Sequence, residues 1–386
     1  MSDKKSFKDI MSMDVKTLMS KGKDKKESKP KNSKKTKKLK KVVSLDIGSN
    51  NIKIAVGKFE NNNKLTIEKL VDVLTPAGAV NDGIIQEVDT VADIIKFTLE
   101  QNKINVKDVI CTTNSSMVIN RELNIPKVNE GEIDTVIHFE IQQYLPINLE
   151  DYIIQCIVLE EFEDQFDSSE KLKVNAIAYP QKMARGYYDM LIKAGLEPHA
   201  LDVTHNSINK LFNTVNSVNV GNLDKRGTVA FVDMGAASIN VNIYKKGKLD
   251  FTRIIKAGGN DIDYELSQEL NMSIKSTESM KIDKDNIAEA EYREKVDFIV
   301  NKVVKGWLVD IERILQFYKN KNLGNTIDAI YIYGGSSNIT GIESAFESAF
   351  TINTEKISKL GNIENTKAIE EPIESYINAI SAIIRL

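Results

Sequence analysis

Asp46 and Asp233 lie 187 residues apart, and each closes a run of β-branched and apolar residues just before a glycine. Val42-Val43-Ser44-Leu45-Asp46-Ile47-Gly48-Ser49 continues into Ile52-Lys53-Ile54-Ala55-Val56. Val229-Ala230-Phe231-Val232-Asp233-Met234-Gly235-Ala236 continues into Ile239-Asn240-Val241-Asn242-Ile243. Such runs favour buried strands, and the glycine lets the backbone turn sharply toward a ligand. Backbone N–H groups in a turn of this kind make a concavity for an anion, while a carboxylate at the strand end orients a hydrated divalent cation. One Asp-x-Gly turn is commonplace. Two in the same context, each opening half of the chain, point to a duplicated fold that closes on phosphate from both sides.

A third element adds a flat surface. Ile330-Tyr331-Ile332-Tyr333 reads as a buried strand, and Gly334-Gly335-Ser336-Ser337-Asn338-Ile339-Thr340-Gly341 follows as a turn whose missing side chains let a base approach the backbone. A helix is expected over 341–350. Arg253-Ile254-Ile255-Lys256-Ala257-Gly258-Gly259-Asn260-Asp261 ends another strand on a glycine pair and enters a helix, a usual place for ribose or phosphate contacts. The order phosphate, phosphate, adenosine resembles the actin/hexokinase/chaperone ATPase superfamily, in which two phosphate hairpins and an adenosine loop line one interdomain cleft.

The elements that must position these turns fit a chain of 386 residues, which suits two domains with subdomains. A further strand is expected over Leu65 to Leu74. A helix (Val88 to Glu100), two strands (Asp108 to Thr113, Met117 to Ile125), a helix (Glu130 to Gln143) and two strands (Tyr152 to Leu159, Lys171 to Tyr179) then compose an α+β insert, with Glu160-Glu161-Phe162-Glu163-Asp164 as an exposed acidic loop. Helix, strand and helix follow at Gln181 to Ala194, Leu196 to Val203 and Asn206 to Val215. The polar stretch Asn216 to Arg226 marks the crossing into the second half. Ile262 to Leu270 and Thr277 to Lys281 are helical. Ile287 to Lys319 is a long periodic helix with Phe298, Val303, Leu308, Ile311, Leu315 and Tyr318 as its core stripe, and Pro372 to Leu386 is a closing amphipathic helix.

Composition narrows the function. At 41% hydrophobic residues the chain is globular, and no run reaches the roughly 20 apolar residues that span a bilayer. Met1 to Lys41 lacks the apolar core of a signal peptide. Cys111 and Cys156 suit a reducing cytosol and argue against a disulfide framework or zinc site, and His138, His199 and His205 are scattered. Residues 1–41 hold sixteen lysines against five acids, so a net charge of −3 hides a basic tail on a body near −14. Lys21 to Lys41 is too poor in apolar residues to order by itself. Ahead of it Phe7, Ile10, Met11, Val15, Leu18 and Met19 make a short amphipathic basic helix. Two readings fit this tail: a solvated segment, or a docking segment for an anionic leaflet or an acidic partner. Nucleic acid ranks last, because no aromatics interleave with the lysines.

A narrower resemblance rests on Gly131-Glu132-Ile133, on Phe139-Glu140-Ile141-Gln142-Gln143-Tyr144-Leu145-Pro146-Ile147, and on Gly195-Leu196-Glu197-Pro198 with Leu201-Asp202-Val203. Asn81-Asp82-Gly83-Ile84-Ile85 and Tyr376-Ile377-Asn378-Ala379-Ile380 also match. Over residues 42–386 the chain resembles the PilM family, FtsA-like proteins of type IV pilus and type II secretion machines. The resemblance implies an α/β, actin-like (ribonuclease H-like, duplicated) ATPase fold with a relocated α+β subdomain as in FtsA. The expected division is a tail, 1–41; a first half, 42–80 and 181–225, with 370–386 packing back; an insert for partner docking, 81–180; a second half, 226–258 and 327–369; and a nucleotide-capping subdomain, 259–326. It further implies a cytoplasmic protein, peripheral to the inner membrane. Such a protein binds ATP and Mg²⁺, docks the N-terminal peptide of an inner-membrane PilN-like partner and links to the pilus motor ATPase. Phe139, Ile141, Tyr144 and Leu145 are the candidates to line the partner groove, against core packing as the alternative.

Carried onto this sequence, the resemblance has Asp46 and Asp233 hold water-bound Mg²⁺. Gly48, Ser49, Asn50 and Asn51 cradle phosphate with Lys53 near it, and Gly235, Ala236, Ala237 and Ser238 form the other wall. Gly258 and Gly259 face the ribose, Glu278 and Lys281 the base or sugar, and Gly334, Gly335, Ser336 and Asn338 hold adenine. Hydrolysis also needs a group that orients the attacking water. Related proteins often carry Glu or Gln at the start of the helix after the Asp-Val strand; here Thr204 and His205 follow Asp202-Val203. Slow or absent turnover is therefore expected, with Asp233 the water-orienting residue. Rival readings are a sugar or acetate kinase-like phosphotransferase, which needs a buried acidic base that the sequence does not identify, and an FtsA-like division filament protein. The latter usually ends in an amphipathic membrane helix, which is not expected after Arg385-Leu386.

Overall fold

The computed structural model describes residues 41–60, 63–144, 148–164, 167–282, 287, 289–321, 324–365 and 371–385. The basic tail and its amphipathic helix lie outside the described residues. Burial on both faces shapes the opening meander: β1 (Val42–Ile47), β2 (Asn51–Phe59) and β3 (Leu65–Leu74) pair antiparallel, with Val43, Leu45, Ile52 and Ile54 fully buried. A small hairpin of β4 (Val80–Asn81) and β5 (Ile84–Ile85) leads into helix α1 (Val88–Gln101), which buries Val91, Ala92, Ile95 and Leu99 on one stripe. The helix returns the chain to β6 (Asp108–Thr113), parallel to β1.

A separate three-stranded unit follows: β7 (Ile119–Pro126), α2 (Glu130–Tyr144), β8 (Tyr152–Glu163) and β9 (Glu170–Pro180), in the order β7-β9-β8. Its own small core holds Ile125, Ile137, Ile141, Leu172 and Val174. After α3 (Gln181–Lys193), β10 (Glu197–Val203) lies parallel to β6 and runs into α4 (Thr204–Thr214). A ribbon of β11 (Ser217–Val218) and β12 (Gly221–Asn222) crosses to the second half.

There the meander repeats. β13 (Thr228–Met234), β14 (Ile239–Lys245) and β15 (Lys248–Ile255) pair antiparallel. Helices α5 (Gly259–Leu270), α6 (Ile274–Ile282) and α7 (Ala290–Lys321) precede β16 (Ala329–Tyr333), which joins β13 in parallel. α8 (Ile342–Phe350), β17 (Thr354–Lys356), β18 (Ile363–Asn365) and α9 (Ile377–Ala382) close the chain. The main sheets are ordered β10-β6-β1-β2-β3-β18 and β15-β14-β13-β16-β17. A core shared by both, including Ile110, Phe212, Phe231, Tyr331 and Ile380, wraps α4 and α9. Phe212, Phe231 and Tyr244 pack with ring centroids 5.7–5.8 Å apart, within the range of favourable aromatic pairs.

Several expectations differ from this arrangement. The insert expected over 81–180 begins only at β7, because β6 is claimed by the first sheet, where it bonds both β1 and β10. β18 likewise pairs with β3 of the first sheet, although it falls within 327–369, expected in the second half. The acidic stretch Glu160 to Glu163 is strand, not loop: it continues the β8–β9 ladder past a bulge, and Lys127 reaches Glu161 at 3.1 Å. Of the stripe expected on α7, Ile311, Leu315 and Tyr318 are buried and Val303 and Leu308 pack against the core, with Val296, Val300, Val304 and Trp307 beside them, while Phe298 is 71% exposed. The closing segment is a single 3₁₀ turn, Ile373–Tyr376, followed by the short α9.

Candidate functional site

The turns after β1 and β13 have the same internal geometry. The Gly48 amide donates to the Asn51 carbonyl at 3.1 Å, and the Gly235 amide to the Ser238 carbonyl at 3.0 Å. Each turn is braced from behind. The Gly48 carbonyl accepts the Thr75 hydroxyl at 2.8 Å and the Asn50 carbonyl the Thr75 amide at 2.9 Å. Across the fold, the Gly235 carbonyl accepts the Gly259 amide at 3.1 Å and the Ala236 carbonyl the Asn260 amide at 2.8 Å. A trans peptide sets N–H opposite C=O, so the amides of Ser49, Ala236 and Ala237 point away from those braces. A cleft of about 720 Å³ opens between the two turns.

Asp46 and Asp233 line it, and one amide serves both carboxylates: Asn378 Nδ2 donates to Asp233 Oδ2 at 2.9 Å and to Asp46 Oδ2 at 3.3 Å. Burial pushes the Asp46 carboxyl up to about 6, against the Asn378 hydrogen bond and the Lys53 charge. Burial pushes Asp233 up to about 7; the Asn378 bond opposes this, while the neighbouring Asp46 charge adds to it. The amide oxygens of Asn240 and Asn378 are buried with no hydrogen-bond partner among the described residues. The lining includes neither cysteine nor histidine. Two buried, under-compensated carboxylates on one cleft fit a hard divalent cation such as Mg²⁺, which takes oxygen ligands and keeps several waters.

Most of the residues singled out from the sequence come together here. Gly48, Ser49, Asn50, Asn51, Lys53, Gly235, Ala236, Ala237, Ser238, Glu278, Lys281, Gly334, Gly335, Ser336 and Asn338 all line the cleft. Gly334 has φ of +92°, and a Cβ there would sit 2.6 Å from Asp233 Oδ1, so only glycine fits. Gly258 and Gly259 are not on the lining. They lie behind the second turn, where a Cβ on Gly258 would stand 2.5 Å from the Ala236 carbonyl oxygen, because the N-terminus of α5 braces the turn. Lys53 is drawn aside to Asp72 at 3.4 Å and over the Tyr376 ring at 5.1 Å. Asn51 also donates to Asp72, and Lys281 is ion-paired with buried Asp263. Asn338 accepts from Lys356 at 3.2 Å, and Glu278 accepts from Asn50 at 2.9 Å across the cleft.

Thr204 begins α4 at the edge of the cleft, 2% exposed, its hydroxyl 3.4 Å from that of Thr112. His205 is not on the lining, and burial pushes its imidazole down to about 4, so it is neutral at pH 7. Away from the cleft, Asp108, Glu197 and His199 bring three possible metal-ligand atoms within 4.8 Å, with no second histidine among them; His199 is satisfied by Asp108 at 2.5 Å. In the small unit, Ile141 is 2% exposed within the core, while Phe139, two residues earlier on α2, is 65% exposed. Ile141 therefore cannot line a surface groove as expected. Leu145 and the Tyr144 side chain lie outside the described residues.

Asn378, Asn240, Thr75 and Asp72 were missed in the sequence. Asn240 was within reach: it stands opposite Asp233 as Lys53 stands opposite Asp46, at the same 187-residue offset. Asn378 was marked by its place in the closing segment and by the resemblance over Tyr376 to Ile380, neither of which gave it a role.

Comparison with known proteins agrees with this architecture. The chain is 20% identical over 373 residues to the cell division protein FtsA of Streptococcus pneumoniae, covering 87% of this chain and 78% of that protein. It is 22% identical over 385 residues to FtsA of Buchnera aphidicola from Acyrthosiphon pisum, covering 88% and 89%. Among solved structures, one described as a PilM-PilN type IV pilus biogenesis complex matches with a TM-score of 0.76 at 19% identity, over 90% of this chain and 98% of that one. The ethanolamine utilization protein EutJ of Carboxydothermus hydrogenoformans matches with a TM-score of 0.52 at 12% identity, over 89% of each chain. The fold is thus the actin-like one that the sequence resemblance implied. A profile of the family described as type IV pilus assembly protein PilM matches residues 44–379, and the chain belongs to that family.

Proposed function

We propose that this protein is a nucleotide- and Mg²⁺-binding assembly protein of a type IV pilus machine, working at the cytoplasmic face of the inner membrane. The observation that carries the reading is the pair of braced turns with Asp46 and Asp233 tied to one amide across a single cleft. In this reading the Ser49, Ala236 and Ala237 amides hold the phosphates, and Asp46 and Asp233 hold the cation through its waters. Glu278 and Gly334 to Ser336 take the nucleoside end. The cation neutralises phosphate charge and, with it, the repulsion between the two carboxylates.

Turnover is slow because Thr204 stands where a base is needed and His205 is packed away from the cleft. Asp233 is then the group left to orient water. Phosphate release above ~1 per minute that disappears in Asp233→Ala would overturn this; efficient enzymes run near ~10 per second.

The small β7–β9 unit with α2 is the proposed docking site for the N-terminal peptide of a PilN-like inner-membrane partner. The support is the family assignment and the likeness to the solved PilM-PilN complex. Calorimetry with that peptide, with and without Mg-ATP, on wild type and Asp46→Ala tests both parts. Binding that depends on Mg-ATP and on Asp46 makes nucleotide a structural gate. No peptide binding under any condition removes the docking role.

A further inference from the structure

We infer that Asn378 is the positioning residue of the cation site: its amide sets the separation of the Asp46 and Asp233 carboxylates and ties that separation to helix α9. The inference rests on reading the cleft as a nucleotide and cation site, and it concerns a residue outside both phosphate turns. An amide between two carboxylates must face them with its NH₂ group, and Nδ2 reaches both at 2.9 and 3.3 Å. The cost falls on the other end of the side chain, whose Oδ1 is buried without a donor among the described residues. A buried polar atom left unsatisfied calls for an explanation. Here the side chain is placed to serve the carboxylates rather than to complete its own hydrogen bonds.

The placement is rigid. Asn378 sits in the first turn of α9 between Ile377 and Ala379, both fully buried, and its carbonyl accepts the Ser381 hydroxyl at 2.8 Å. The helix packs in the core shared by the two sheets. Asp46 belongs to the first sheet and Asp233 to the second, so one side chain on a third element fixes the distance between them. A group held within about half an ångström by its supporting shell is what a metal or catalytic constellation requires.

The test uses Mn²⁺ as the probe on the full chain, its free signal followed by electron paramagnetic resonance, with and without a non-hydrolysable ATP analogue. Asn378→Ala is expected to weaken Mn²⁺ binding at least tenfold while changing metal-free nucleotide affinity, measured in EDTA, less than threefold. Unchanged Mn²⁺ affinity in that variant overturns the inference. Asn378→Asp keeps the shape and adds a third carboxylate. Its thermal midpoint is expected to start below wild type and to rise more on adding Mn²⁺; an equal or smaller rise also overturns the inference, whatever becomes of the alanine variant. If wild type binds neither Mn²⁺ nor nucleotide, the reading of the cleft itself fails, and the inference fails with it.

Discussion

Gly258 has an extended backbone, with φ of −179°, so any residue could adopt its conformation. What forbids a side chain is space: a Cβ would stand 2.5 Å from the Ala236 carbonyl oxygen and 2.7 Å from that of Gly235. Ordinary contact begins near 3.4 Å, so Gly258→Ala must drive the second turn back by about 0.9 Å. That movement stretches the Gly259 and Asn260 amide bonds, now 3.1 and 2.8 Å, beyond useful length. Overpacking costs about 1–3 kcal/mol, and the two weakened bonds add about 1 kcal/mol each. The same displacement carries the Ala236 and Ala237 amides off a phosphate, and each charge-assisted bond lost is worth about 1.5–3 kcal/mol, or at least ~10-fold in affinity. We expect a melting midpoint lower by several degrees and a fluorescent nucleotide bound at least ~100-fold more weakly. Gly335→Ala is the control for the melting midpoint alone, since a Cβ there meets no protein atom within 4 Å but faces the nucleoside end of the cleft. A Gly258→Ala protein within 1 °C and twofold of wild type would refute the argument that the α5 brace fixes the turn. An equal fall in midpoint from Gly335→Ala would show that steric contact is not the cause.

Three further perturbations test other parts of the structure. The buried His205 imidazole titrates near 4 rather than its ordinary 6.5, so the unfolded chain binds the extra proton between those values and stability falls as pH drops through that window. From pH 7.5 to pH 5 the loss is about 2 kcal/mol, read as the difference in urea midpoints between wild type and His205→Gln; the difference cancels the opposite slope of Asp46 and Asp233. Lys210 and Asp202 form an ion pair at 2.6 Å with both side chains at most 2% exposed, so Lys210→Met should cost about 3–5 kcal/mol in chemical denaturation. Adding Asp202→Asn should recover part of that loss; no recovery would mean the charge is not the cause. Deletion of residues 1–40 removes fifteen of the sixteen lysines in the tail and should release the protein from vesicles rich in anionic lipid, each lysine near the surface being worth ~1 kcal/mol; unchanged sedimentation would leave the solvated reading.

Strands and turns that repeat were legible because local chemistry writes them twice. Asp46 with Gly48 and Asp233 with Gly235 each need a buried strand, a close approach and a carboxylate, and those demands leave the same residue types at the same spacing. Gly334 was legible for the same reason, its backbone conformation excluding other residues. Gly258 was recognised as special but misplaced. The sequence marks a glycine that tolerates no side chain, yet it does not say whether the intruding atom is a ligand or the back of a neighbouring turn. Long-range partners were the illegible class. Asp72 pairs with Lys53 on the cleft wall, Asp263 holds Lys281, and Asn378 reaches over 332 residues to Asp46; each depends on how sheets and helices stack, which no local window encodes. The same limit explains the insert. The strand Asp108–Thr113 has the composition of its neighbours, and only pairing with β1 and β10 assigns it to the first sheet. A cleft built from two repeated turns can therefore be found from sequence, while the residues that set the distance between the turns come from the third element lodged between the halves and need the fold to be seen.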